Sequence, residues 1–263
     1  MKKFYRLFAT LFVLVGLVAA CGNQEKEAAT NEPVELTISA AASLQDALEE
    51  LKTIYEKQHD TIKILYNFGG SGALQQQILQ GGAPADLFFS AAEDKFDALV
   101  EKEMIDLKLG TDLLANDLVL IVPKNNEKQI QSFEDLQQAG KIALGTPETV
   151  PAGQYGVDTL KTLQLWDALE SKVVYTKDVR QVLTYTETEN VDAGMVYKTD
   201  ALVSDKVNVV ATADEAMHAP IIYPVGVLKA SKHAQEAEDF YHFLQSDEAI
   251  DVFEKYGFKG GAQ

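Results

Sequence analysis

From Val34 onward, short apolar runs of strand length alternate with stretches whose apolar residues recur at helical spacing. Val34, Leu36 and Ile38 share one side of an extended segment, VELTIS. Leu44, Ala47, Leu48, Leu51, Ile54 and Tyr55 then recur every three or four residues, which predicts a helix. A strand over 61–67, a glycine-rich turn, a helix from Gly72 to about Gln80 and a short buried strand over 86–90 follow. Phe96, Leu99 and Val100 indicate another helix. This order predicts a mostly parallel sheet covered by helices on both faces.

The rhythm resumes at Asn116. Segment 116–122 reads as a strand stopped by Pro123. Beyond it the pattern predicts a helix near 132–139, strand 141–145, helix 152–163, strand 172–176, helix 179–188, and strands 191–196 and 207–211. Segment 220–228 is extended, because Pro220 and Pro224 hinder a helix. Helices over 234–245 and 247–256 complete the pattern. Periodicity gives an α/β class and leaves one sheet or two open. If there are two, the candidate crossovers are 116–122 and 220–228.

The segment before Val34 differs in kind. Lys2, Lys3 and Arg6 precede an uncharged apolar stretch from Leu7 to Ala20. Its 14 residues suit a signal-peptide core better than a membrane span, which needs about 20. It ends in Val18-Ala19-Ala20-Cys21-Gly22, which resembles a bacterial lipobox. Cleavage after residue 20 would leave Cys21, the only cysteine, as the lipidated residue. Residues 21–33 are polar and read as a flexible tether. The expected location is the outer face of the cell membrane, through a lipid anchor.

The formal charge is −17, and loss of residues 1–20 with their three cations would make it −20. That balance excludes a broad nucleic-acid surface. One Cys and four His exclude a disulfide scaffold or a cysteine-rich metal site.

Four helix starts offer backbone N–H groups. Ser43 precedes an apolar helical pattern with Asp46 three residues on, an N-cap signal. Ser71 lies in Phe68-Gly69-Gly70-Ser71-Gly72, where glycines permit close approach of backbone. In Thr149-Val150-Pro151-Ala152-Gly153 the proline suits a first helical position. Asp178 and Gln181 have capping-box spacing. Taken singly, each is better read as a cap than as a ligand site. The glycine-rich turn lacks the Lys-Ser/Thr pair of a phosphate loop, and no GxGxxG is present.

Catalytic patterns are weak. His59, His218, His233 and His242 are scattered and form no HExxH, and there is no GxSxG. Asp86 precedes an apolar strand and suits a structural hydrogen-bonding role. Tyr155, Tyr197 and Tyr223 suit core positions when each is read alone.

Read together, several segments resemble the molybdate-binding proteins of ABC transporters, within the type II periplasmic-binding-protein superfamily. They are AAASL (40–44), GAPADLF (82–88), VPAGQY (150–155), DVR (178–180), Met195-Val196-Tyr197 with Asp200-Ala201, Tyr223-Pro224-Val225, and FEKYGF (253–258). The resemblance spans roughly 34–258. It implies two α/β lobes, each a mostly parallel sheet flanked by helices, with a hinge of crossing strands. The implied lobes are 34–119 with 224–263, and 120–223. It implies an oxyanion held by the hydroxyls of Ser43 and Ser71 from one lobe. The other lobe supplies the backbone N–H groups of Ala152 and Val179 and the phenol of Tyr197. Where family members often carry a run of serines, this chain has Gly70-Ser71-Gly72. Arg180 is expected outside the ligand contacts, paired with a surface carboxylate.

The implied function is capture of molybdate, and of tungstate, outside the cell by a monomer that delivers it to a membrane permease. No cofactor, direct metal ligand or catalytic residue is expected, so the protein is not read as an enzyme. The alternatives are another tetrahedral oxyanion such as sulfate, phosphate or thiosulfate, and more remotely ferric iron, a carboxylate-based hydrolase or a scaffold.

Overall fold

The computed structural model describes residues 33–82 and 84–261. The expected signal peptide, Cys21 and most of the tether lie outside those residues, as does Ala83 of the GAPADLF segment. Among the described residues no helix is long and apolar enough to cross a membrane.

The first part of the chain runs β1 (Val34–Ala41), α1 (Gln45–Gln58), β2 (Ile62–Gly69), α2 (Ser71–Leu79), β3 (Leu87–Phe89), α3 (Glu93–Glu101) and β4 (Ile105–Ala115). β5 (Leu118–Pro123), β6 (Ile142–Gly145), α4 (Pro151–Thr162), α5 (Trp166–Leu169) and β7 (Val173–Thr176) follow. Then come α6 (Val179–Glu187), β8 (Ala193–Tyr197), α7 (Lys198–Leu202), β9 (Val207–Thr212), β10 (Ile222–Leu228), α8 (Ala234–Leu244), α9 (Asp247–Lys255) and β11 (Lys259–Gly260).

Two sheets form. The first has the order β11-β4-β10-β3-β1-β2 and the second β7-β6-β8-β5-β9. β1 pairs in parallel with β2, from Val34 opposite Ile62 to Ala41 opposite Gly69, and with β3. β6 pairs in parallel with β7 and β8. β10 runs antiparallel to β3 and β4, and β5 antiparallel to β8 and β9. Most strands in each sheet therefore point one way, while β10 and β11 in the first and β5 in the second run against them and make both sheets mixed. β5 is buried along its whole length, as a central strand between helix layers must be.

The sequence predicts 116–122 and 220–228 as strands crossing between lobes. Both strands exist, but β5 pairs only in the second sheet and β10 only in the first. The chain passes between sheets in the short segments beside them, at 116–117 and 213–221.

Local chemistry explains the helix starts. The Asp178 side chain accepts a 2.8 Å bond from the Gln181 N–H and caps α6. Gln181 completes no reciprocal box, since its side chain instead accepts from the Lys177 N–H at 3.0 Å. Pro151 occupies the first position of α4. Ser43 does not cap α1. It lies inside a short 3-10 turn over Ala42–Leu44, and Leu44 occupies the cap position without a side-chain bond. Asp86 is structural, as expected. One of its oxygens accepts from the Thr37 N–H at 2.8 Å and the other from the Ser231 hydroxyl at 2.6 Å.

Candidate functional site

A small cavity of about 10 Å³, room for a single water-sized sphere, lies where the two sheets' helices meet. Ala41, Ala42, Gly69, Gly70, Ser71 and Ala91 line it from the first-sheet side. Val150, Pro151, Ala152, Val179 and Tyr197 line it from the second. Four of the five expected oxyanion contacts, Ser71, Ala152, Val179 and Tyr197, thus line one cavity, and Ser43 is not among its lining residues. Val179 is the first residue of α6 and Ala152 the second of α4. At those positions the N–H has no partner within its own helix, and the helix dipole favours an anion.

The hydroxyls complete the donor set. Ser71 is fully buried, and its oxygen accepts a 2.9 Å bond from the Ala91 N–H. That contact leaves the Ser71 hydrogen available to another acceptor. Tyr197 is buried, and its hydroxyl has no hydrogen-bond partner. It lies near the Tyr223 hydroxyl, but without the alignment of a hydrogen bond. Burial holds the Tyr197 phenol well above its ordinary pKa, so it stays a donor. A buried polar atom left without a partner is costly and points to a ligand contact.

Ser43 is placed differently. It follows Ala42 on the cavity wall, and its oxygen lies 2.9 Å from the Tyr223 hydroxyl. Tyr223 in turn accepts from the Asn116 side-chain amide at 3.3 Å. Sequence pattern gave no reason to select Asn116. Its partners Thr199 and Tyr223 are remote in sequence, and its position before β5 looks like an ordinary strand edge.

Arg180 does not line the cavity. Its Nε lies 2.8 Å from Asp200 Oδ1, which is fully buried, and its Nη2 reaches Asp46 on α1 and the Ser43 carbonyl, the latter at 3.5 Å. The sequence reading paired it with a surface carboxylate. Asp46 fits that description in part, but the second partner is interior. Burial raises Asp200 to about 6, against the pull of Arg180 and of the Tyr197 N–H, which donates to it at 3.2 Å.

Two close approaches join the sides. The Gly72 N–H donates to the Thr149 carbonyl at 3.0 Å. A Cβ on Gly70 would fall 2.6 Å from that same carbonyl oxygen. The glycines around Ser71 thus give the opposing backbone room to press against α2.

Larger hollows lie elsewhere, and one is rimmed by Glu93, Asp94, Asp97 and Asp158, which repel an anion. Among the described residues no group of three or more His, Cys, Asp or Glu could hold a metal ion.

Two sheets, each with its own helices, enclosing a donor-lined space between them, define a two-lobed binding protein. The chain belongs to the family described as bacterial extracellular solute-binding protein, which matches residues 36–259. It is 57% identical over 258 residues to YvgL of Bacillus subtilis (strain 168), described as a substrate-binding lipoprotein of an ABC transporter, covering 98% of this chain and 99% of that one. It is 36% identical to the molybdate-binding protein ModA of Escherichia coli (strain K12), over 85% of this chain and 88% of ModA. Among solved structures, the substrate-binding domain assigned to a molybdenum ABC transporter of Clostridium difficile superposes with a TM-score of 0.66 at 42% identity, covering 86% of this chain and 99% of that domain. The fold is the two-lobed α/β architecture of type II periplasmic binding proteins.

Proposed function

We propose that this protein captures molybdate, and with it tungstate, outside the cytoplasm and delivers it to an ABC permease. It would act as a monomer held at the membrane by a lipid on Cys21. The observation that carries the reading is the cavity's chemistry. Ser71, Ala152, Val179 and Tyr197 present only neutral donors, and the adjacent cation, Arg180, is already paired with two carboxylates. A fully deprotonated tetrahedral dianion accepts on every side and suits such a cage. A protonated oxyanion such as hydrogen phosphate brings an O–H that finds no acceptor there, and burying it unpaired is costly. Size separates molybdate and tungstate from sulfate.

In this reading each sheet with its helices is one lobe, the chain passing between them at 116–117 and 213–221, and the anion bridges the two. The relatives' names support it, and so does the placement of the matched segments around one cavity. Calorimetric titration of the chain from Gly22 onward with molybdate, tungstate, sulfate, phosphate and ferric citrate tests it. Tight binding of the first two and weak binding of the rest is the expected result. Preference for sulfate or phosphate would overturn it.

A further inference from the structure

A serine hydroxyl can donate one hydrogen and can also accept, so its use as an anion donor depends on which neighbour commits it. The structure fixes that choice at Ser43 through two residues that do not touch the cavity. Asn116 is buried, and its side-chain carbonyl accepts from the Asp117 N–H at 2.9 Å. A flipped amide would set donor against donor there, so the amide nitrogen must face Thr199, at 2.9 Å, and Tyr223, at 3.3 Å. The Tyr223 oxygen therefore accepts from Asn116, and its single hydrogen needs an acceptor. Ser43 Oγ, at 2.9 Å, supplies it. The Ser43 oxygen is then engaged, and its own hydrogen is left without a protein acceptor among the described residues. Ser43 and Tyr223 are both buried, so water does not readily reverse the order.

We infer that Asn116 and Tyr223 are positioning residues that orient a hydrogen-bond chain, Asn116 to Tyr223 to Ser43, so that the Ser43 hydrogen is free to donate to the bound anion. The inference rests on the oxyanion reading of the cavity and adds to it the source of one donor's direction.

A double-mutant cycle read by molybdate calorimetry tests the chain. The proteins are the wild type, Tyr223→Phe, Ser43→Ala and the double variant. Tyr223→Phe alone should weaken molybdate binding about 3- to 10-fold, a loss on the scale of one hydrogen bond. In the Ser43→Ala background the same change should cost no more than about 2-fold. Equal losses in both backgrounds would overturn the chain while leaving the cavity reading intact. Wild-type affinity in Ser43→Ala would also overturn the chain, because Ser43 would then not contact the anion, while the four cavity donors would stand; failure of the wild type to bind molybdate would overturn the cavity reading itself. Asn116→Asp provides a second route if Tyr223→Phe folds poorly. A carboxylate accepts from Tyr223, which reverses the chain and turns the Ser43 hydrogen away from the cavity. Its added charge weakens binding in either background, so only the difference between backgrounds reports on the chain. A smaller loss with Ser43→Ala supports it, and an equal loss refutes it.

Discussion

At the scale of single residues, the Tyr197 hydroxyl sets function against stability. It is buried with no partner, a state that costs about 1–3 kcal/mol. Tyr197→Phe removes that cost and keeps the ring. It should leave the thermal midpoint unchanged or raise it. It should also weaken molybdate binding roughly 10- to 150-fold, the loss of one hydrogen bond to a charged acceptor. Lowered stability with unchanged affinity would place Tyr197 in the core rather than at the ligand. Asp200 gives a pH signature. Its folded pKa is about 6 against an ordinary 3.8. The folded protein thus binds this proton more tightly than the unfolded chain does. The resulting stability is complete below about pH 4 and is lost as pH rises through 6, a change of about 3 kcal/mol. Asp200→Asn should remove this decline, on top of a constant offset from leaving Arg180 without its interior partner. Thermal midpoints of both proteins from pH 4 to 7 check it, and parallel curves would refute it.

At the scale of elements, the start of α4 depends on one glycine. A Cβ on Gly153 would fall 1.9 Å from the Gly145 carbonyl oxygen at the end of β6. Gly153→Ala must push α4 away from the sheet, and the Ala152 N–H moves with it. We expect a lower melting temperature by circular dichroism, and molybdate binding reduced at least 10-fold in the protein that remains folded. The same comparison shows what pattern can and cannot reveal. β1, α1, β2 and the two last helices were legible because each buries a periodic apolar face, and β5 because it is an unbroken apolar run buried along its whole length. β4 was not. Asp106, Leu107 and Lys108 break its alternation, and Leu107 is 71% exposed, so only pairing with β10 and β11 makes it a strand. Segment 132–139 yields a 3-10 turn over Glu134–Gln138 rather than an α-helix. At the site, matched segments pointed to Ala152, Val179 and Tyr197 and the glycine-rich turn to Ser71, and these four line one cavity. The cap assigned to Ser43 was mistaken, since its hydroxyl is taken by Tyr223, 180 residues away. Local spacing cannot reveal a bond of that range, and for the same reason Asn116 went unselected and Asp200, though in a matched segment, was given no role.

At the scale of the whole molecule, the proposed donors are divided between the lobes, which on that reading would make the anion a closing agent. Ser71 stands on the first-sheet side, and Ala152, Val179 and Tyr197 on the second. An anion gains all of these contacts only when the sides meet, so it binds the closed form better and shifts the population toward it. The direct contacts across the cleft are few. They include Gly72 to Thr149, Asn116 to Thr199, and Arg180 to Asp46 and the Ser43 carbonyl. Small-angle scattering should show a smaller radius of gyration with saturating molybdate than without, and an unchanged profile would refute closure. Asp46→Asn isolates the ionic part of the latch. Asp46 is half-exposed, and an ion pair of that kind contributes about 0.2–1 kcal/mol. The variant should therefore bind molybdate about 1.5- to 5-fold more weakly while reaching the same closed radius at saturation. Screening adds a second readout. Raising the salt to about 1 M shortens the Debye length to about 3 Å, which should bring wild-type and Asp46→Asn affinities together. A deficit that persists at high salt would mean that Asp46 acts through packing of α1 rather than through its charge on Arg180.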